Sequence, residues 1–447
     1  MTSPTYLRRT LENSHRHPVT EEQRHEPGAA PAAFNLVREI IALGPAILDQ
    51  GVWSMAGFVS AALVARLLGA EALAIFTIGT SIIFAVGAVV NSLILDPAAV
   101  IGPRDHEDQL YSYGGLLVSG SAVFGAVTAV PGLVILALFP GEWGAVVSAS
   151  LICSLPVLLA WAARRLPYLT SQPLWAFWGS CAYLVVVVST MIVAFNLDVL
   201  TPSTAVIALG LGGVAQATVI LPLWRPRFTP STDRKKIRGV AREHWRFGSW
   251  YLAAEASSWI LNYGLAAISA AVIDLTSAGA FRASQVLLRP YGIVFVGIGL
   301  AFLPRLTRIR RDRGHIEAEV SVRRVAWLLS GVGAAVFVVL LGAGGEIMRL
   351  VFGPEFAEYG WLVATLAGAM ILHGWTAAYS MGLRASNRPK DAFLGQAASA
   401  ITSLVAGVAL GLAWGLVGFA AAFVLASVAR LLVVWRLWGR VGEVEPE

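Results

Sequence analysis

Gly279 to Pro304 reads GAFRASQVLLRPYGIVFVGIGLAFLP, an apolar run long enough to cross a bilayer that carries Arg282 and Arg289 inside it. A guanidinium near the centre of a membrane helix costs about 2.5–3.5 kcal/mol on insertion scales, so two of them call for a partner or a wet cavity. Seven residues apart on a helix, they share one face with a rise of about 10 Å between them. Gln285 falls beside the same stripe. Pro290 lacks an amide hydrogen and crowds the preceding turn, so the helix is expected to kink beside the second arginine. The stretch reads as a broken, positively lined membrane helix facing a cavity for an anion.

The rest of the chain has the same solvent. Of 447 residues, 57% are hydrophobic and only 13% charged, with a mean hydropathy of +0.69, where an ordinary globular domain has about 25% charged residues. An all-α polytopic membrane protein is expected, and spans of about 20 apolar residues become the unit of counting. Twelve follow from windowed hydropathy. They run near Pro45 to Leu68, Ala72 to Leu95, Tyr111 to Leu138, Gly144 to Ala162, Leu174 to Phe195, Ala205 to Leu223, Gly248 to Ile273, Gly279 to Leu303, Val325 to Gly345, Gly360 to Met381, Ala392 to Trp414, and Leu416 to Trp435. Cys153 and Cys181 both fall inside spans, so neither a disulfide framework nor a cysteine metal site is expected. The first 30 residues are polar and lack the apolar core of a cleavable signal.

Basic residues orient the chain. With the amino terminus in the cytosol, 29 of the 33 Lys and Arg fall in the inner segments, among them residues 163–173 and 304–324. The positive-inside rule is then satisfied with both termini cytosolic. Residues 1–33 read as a disordered cytosolic tail rich in Pro, His, Arg and Glu, with His15, His17 and His25 held on no rigid frame. The largest inner loop divides the spans six and six: 34–223 as an amino-terminal lobe, 224–247 as a cytosolic linker, 248–436 as a carboxy-terminal lobe and 437–447 as a second tail. A weak similarity at an offset of 205 pairs Leu68-Gly69 with Ile273-Asp274 and sets Asp49-Gln50 opposite Ala254-Glu255. Two parallel repeats would place a cavity between the lobes near the bilayer midplane.

Depth sorts the intramembrane charges. Arg66 lies at the outer end of the first span, Arg282 about 4.5 Å by helix rise from the outer end of the eighth, and Arg289 at mid-depth, where snorkelling is hard. Asp49 and Glu255, at matching positions of the two repeats, are candidates for ion coupling or for pairing with Arg282 or Arg289. His373, alone within the tenth span, is expected as a hydrogen-bonded structural histidine. No phosphate-cradling glycine loop, H-E-x-x-H or loop cluster of Asp is present, so no catalytic residue, metal or cofactor is expected. Glycines within spans fit close helix packing, and Trp143, Trp224, Trp361 and Trp435 fit an interfacial belt.

Several phrases in their order and spacing resemble the polysaccharide flippases of the multidrug, oligosaccharidyl-lipid and polysaccharide exporter (MOP) superfamily. They are ARLLGAEALAIF from Ala65, with Ala74 where the family usually has glycine, AGAFRASQVLLRPYGIVFVGIGLAFLPRLTRI in the eighth span, MRLVFGPEFAEYGWLVATLA from Met348, and LRASNRPKDAFLGQAASA. The resemblance covers nearly all of residues 36 to 438. It implies two six-helix bundles in a V around a central cavity, turning over a polyprenyl-diphosphate-linked oligosaccharide by alternating access for cell-surface polysaccharide synthesis. By the same analogy Arg289, Arg282, Gln285 and Arg66 would hold the diphosphate. The implied setting is a monomer in a bacterial inner membrane, with lipid and possible glycan polymerase or glycosyltransferase partners and no nucleic acid. A cation-coupled multidrug exporter would share the fold, but the mid-depth charge here is basic. A membrane glycan polymerase or ligase would need a larger outer loop than the roughly 14 residues from Glu346 to Tyr359.

Overall fold

The computed structural model describes residues 32–106, 109–170, 172–224, 234–386 and 388–443. The tail expected over 1–33 lies outside them except for its last two residues, as do 225–233 of the linker and 444–447 of the second tail. The chain falls into two units, Met1–Gly44 and Pro45–Glu447, and the packing described here lies within the second. Every described element is helical: α1 (Ala32–Leu68), α2 (Ala70–Val90) running through a π-helical turn (Asn91–Leu95) into α3 (Asp96–Asp105), α4 (Leu110–Leu138), α5 (Glu142–Leu169), α6 (Pro173–Asn196) and α7 (Pro202–Trp224). There follow α8 (Arg234–Trp259), a second π-helical turn (Ile260–Gly264), α9 (Leu265–Val272), α10 (Leu275–Leu287), α11 (Arg289–Phe352), a 3-10 turn (Pro354–Tyr359), α12 (Gly360–Ala385) and α13 (Pro389–Glu443).

Among the described residues, nine helices are long and apolar enough to cross a membrane, against the twelve expected. The difference has physical sources. One of the nine, Lys390–Val441, is 52 residues long and breaks at Trp414 and Gly415, where two spans were expected to meet. α8 opens on the charged run RKKIRGVAREHWRF, and α10 stops after 13 residues. The kink expected beside Arg289 is a break at Leu288, which leaves Pro290 in the first turn of α11, where its missing amide hydrogen does no harm.

Helix α2 is the central element. Two thirds of its apolar window is buried (67%), against 17% for α4, which faces outward. α2 packs on α5 and α7 on one side and on α8, α9 and α10 on the other. Two glycines set the second of these interfaces. A Cβ on Gly279 would lie 2.0 Å from the Ala70 carbonyl oxygen, and one on Gly248 would lie 2.2 Å from that of Ser92. At the Gly69 end of the bundle, Arg66 donates to the Leu350 carbonyl, and Glu355 lies against Gly69.

At the opposite, basic end His244 of α8 closes the joint. Its Nδ1 lies 3.1 Å from the Leu93 carbonyl in the π turn, and its Nε2 lies 2.6 Å from the Tyr113 hydroxyl. A carbonyl only accepts, so Nδ1 carries the proton and Nε2 accepts from Tyr113. Burial lowers the His244 pKa, outweighing the Leu93 contact and the nearby Glu243, which act upward; His106 acts with burial. A depressed histidine stabilises the fold fully above its unfolded pKa, about 6.5, and loses that contribution as pH falls through the folded value.

Two outcomes follow for the purified protein in detergent. The melting temperature should fall on acidification from pH 7.5 to 5.5, and His244→Gln should flatten that fall; an unchanged slope would count against the joint. Gly279→Val should lower stability by about 1–3 kcal/mol through overpacking, which a thermal melt would show.

Candidate functional site

A cavity of about 300 Å³ lies in the basic half between α1, α2 and α5. Trp53, Phe84, Trp161 and Tyr168 give it aromatic walls, and Gln50, Asn91, Arg164 and Arg165 give it polar ones. Asn91 opens the first π turn, where the extra residue re-aims a side chain without ending the helix. Arg164 and Arg165 sit in the last turns of α5, which continues to Leu169 rather than ending at Ala162. Sequence reasoning had assigned both to a basic loop and missed them as site residues. The signal was the apolar continuation around Leu166 and Pro167, which keeps the pair on a helix.

Asp49 explains how Arg164 is held. It is fully buried and accepts Nε of Arg164 at 2.9 and 3.1 Å and Nη2 at 2.8 Å. It also accepts the hydroxyls of Tyr168 and Ser180. Gln216 donates to Ser180 at 3.2 Å. Arg164 in turn donates to Gln50 at 3.0 Å and lies over the Trp53 ring, 5.1 Å from its centre. Of the alternatives open for Asp49, pairing with Arg282 or Arg289 is corrected: its partner is Arg164, 115 residues away in the chain. Arg165 pairs with Asp96 at 2.8 Å in a wetter setting, the side chains 42% and 27% exposed. Glu255, half-buried on α8, lies within electrostatic reach of Asp96 and Arg165, so of its two candidate roles the pairing with Arg282 or Arg289 is the one the structure does not show.

The arginines of the opening stretch meet elsewhere. Arg282 donates from Nη1 to the Asn262 carbonyl at 2.8 Å and to Gln285 Oε1 at 3.4 Å. Gln285 donates to the Leu261 carbonyl at 3.4 Å. Both carbonyls belong to the second π turn, where the i→i−4 ladder is interrupted and acceptors turn outward. The Arg282 guanidinium lies 4.8 Å from the centre of the Tyr263 ring. Arg289 donates to the Tyr263 hydroxyl at 3.4 Å and packs on α1 at Gly57, where a Cβ would be 2.9 Å from Nη1. Tyr263 stacks on Phe84 at 4.5 Å and 14°. The structure thus gathers Arg282, Gln285 and Arg289 around Tyr263, next to the cavity wall. Arg66 is not with them; it caps the end of α11. His373 lies on α12 with the Ala369 carbonyl one turn back as its backbone neighbour.

The family model described as lipid II flippase MurJ matches residues 177–446. Comparison with curated proteins by sequence gives no match. Among solved structures, an inward-facing multidrug resistance MATE family transporter of the MOP superfamily superposes with a TM-score of 0.74 at 12% identity, over 90% of this chain and 100% of that one. The lipid II flippase MurJ in an inward closed conformation gives 0.64 at 14%, over 87% and 86%. A MOP superfamily transporter from Pyrococcus furiosus gives 0.62 at 12%, over 91% and 96%. At these identities the likeness is one of fold, and the fold is that of the MOP transporters.

The Asp49–Arg164 pair gives a stability test. Breaking a buried pair from one side strands a charge at a cost of about 3–5 kcal/mol, whereas replacing both partners by apolar groups is often near neutral. Asp49→Ala should therefore melt well below the native protein, and Asp49→Ala/Arg164→Met should recover most of the loss. Equal melting of the single and double variants would show that the pair is not what holds α1 to α5.

Proposed function

The chain belongs to the lipid II flippase MurJ family, and from that premise we propose that it turns over a polyprenyl-diphosphate-linked glycan from the cytosolic to the outer leaflet. The substrate is lipid II, which the family description names, or a related lipid-linked oligosaccharide for the cell surface. Family membership makes the chain a transporter rather than an enzyme. The observation that carries the substrate class is the cavity walled by Arg164 and Arg165, with Arg289 and Arg282 just behind its Phe84 wall. A guanidinium is a planar fork that meets phosphate oxygens with two parallel charge-assisted hydrogen bonds. Trp53 and Trp161 offer faces for the apolar side of a sugar ring.

In the orientation set by the basic residues, both termini are cytosolic and the cavity lies in the cytosolic half of a bacterial cytoplasmic membrane. The diphosphate enters there with its glycan in the hydrated interior, while the polyprenyl tail stays in the bilayer. The contacts at the Gly69 end, namely Arg66 with Leu350 and Gly69 with Glu355, hold the outer side closed at this stage. Rocking of the two halves, 34–223 against 248–436, would part them and present the head group outside. Arg66 then belongs to the outer gate and reaches the diphosphate only as it leaves. The protein works as a monomer beside the glycosyltransferases or polymerase that make and consume the lipid-linked glycan. A multidrug exporter shares the fold, yet a cationic drug would meet guanidinium groups in this cavity.

Arg289→Ala should leave membrane abundance and melting unchanged while translocation in reconstituted vesicles drops at least tenfold and lipid-linked glycan accumulates on the cytosolic face of cells. Normal surface glycan and normal peptidoglycan in that variant would remove the assignment. Offering lipid II and another undecaprenyl-diphosphate glycan to the same vesicles identifies the substrate.

A further inference from the structure

The four arginines at and behind the cavity are not one cluster. Arg164 and Arg165 line the cavity, whereas Arg282 and Arg289 do not. Between the pairs stand two stacked rings, Phe84 as the cavity wall and Tyr263 behind it. Tyr263 serves both inner arginines, its ring face covering Arg282 and its hydroxyl accepting from Arg289. Building on the flippase reading above, we propose that the arginines form two anion stations, a receiving one at Arg164 and Arg165 and a second one at Arg282 and Arg289, with Tyr263 deciding when the diphosphate passes between them.

Three observations support a passage controlled by this residue. One side chain holds both inner arginines, so a single movement uncovers both: lifting the ring removes the cation–π contact on Arg282, and moving the hydroxyl frees a donor on Arg289. Tyr263 lies in the π-helical turn Ile260–Gly264, where the backbone ladder is already interrupted, so the ring can be re-aimed without unwinding a helix. Phe84 also touches Trp161 at 5.5 Å, which connects the partition to the wall that a bound head group would press.

The stations also differ in chemistry. Receiving arginines are held by carboxylates, Asp49 and Asp96, against which an incoming diphosphate must compete. The partners of the second pair are neutral: a backbone carbonyl, an amide oxygen, a phenol ring and its hydroxyl. A diphosphate that reaches them displaces no fixed charge, and its oxygens replace each of those contacts with a charge-assisted one. While the rings remain stacked, the anion rests at the first station.

The test is a binding cycle on the full chain in detergent, titrated with geranylgeranyl diphosphate. With Tyr263 in place, Arg165→Ala should weaken binding at least tenfold and Arg289→Ala less than twofold. In a Tyr263→Ala background the stations are joined, and Arg289→Ala should now weaken binding tenfold or more. Tyr263→Phe, which keeps the ring, should behave as the native protein. Phe84→Ala opens the partition from the other side and should give the Tyr263→Ala pattern, so the test does not hang on one variant folding. A tenfold effect of Arg289→Ala with Tyr263 present would overturn the proposal, because the arginines would then be one site. So would an Arg289 that stays silent after both ring deletions. No binding, or binding indifferent to Arg165 and Arg289 in every background, would overturn the flippase reading and this inference together.

Discussion

A guanidinium inside a membrane is costly without a partner, and the arginines at and behind the cavity are arranged around that constraint. Each of the four arginines at and behind the cavity meets it differently. Arg164 takes a fully buried carboxylate whose remaining lone pairs are filled by Tyr168 and Ser180, the condition under which a buried ion pair is tolerable. Arg165 takes Asp96 where water still reaches. Arg282 uses backbone carbonyls released by a π turn together with a ring face, and Arg289 a phenol hydroxyl. Partnering grows weaker in formal charge from the first arginine to the last.

The same constraint accounts for irregular backbone at the centre of an otherwise regular bundle. In a straight α-helix each interior carbonyl already accepts from the amide one turn on, whereas a π turn interrupts that ladder and offers its carbonyls more freely. The turns Asn91–Leu95 and Ile260–Gly264 both lie where α2 and its continuation meet α8 and its continuation, and each serves polar groups there. Leu93 in the first accepts from His244, while Leu261 and Asn262 in the second accept from Gln285 and Arg282. Glycine works alongside them: the bare Cα of Gly279 and Gly248 lets the paired helices approach to backbone contact, and Gly57 leaves room for a guanidinium.

Much of this was legible in the residues. The apolar composition pointed to a membrane bundle and the Arg282–Arg289 spacing to a shared face; those two arginines do share one neighbour, Tyr263, but the cavity the reading expected them to face is lined by Arg164 and Arg165 instead. Local spacing could show that they lie on one face but not what covers them, because Tyr263 is brought from the preceding helix by a π turn that leaves no clear mark in sequence. Arg164 and Arg165 were hidden by the rule that oriented the chain. Counting basic residues by segment treats a pair near a span end as a topology marker, whereas two more turns of α5 carry it into the interior. Asp49 was recognised as out of place, yet its partner lies far along the chain, and one sequence carries no information on that pairing.

Moving an anion through such a site is an exchange of partners rather than the filling of a void. Without substrate, the first two arginines are neutralised by carboxylates and the last two are solvated by dipoles alone, so the uncompensated positive charge of the empty protein sits at Arg282 and Arg289. In the proposed cycle a diphosphate would bring its own negative charge and substitute for Asp96 at one stage and for the Tyr263 dipole at another. At no stage is a guanidinium left bare, which is what would otherwise raise the barrier in a medium of low dielectric. Asp49 is the exception that makes the exchange possible. Locked by several donors and inaccessible to water, it keeps Arg164 in place and presents its outer face to the cavity while the partners around it change.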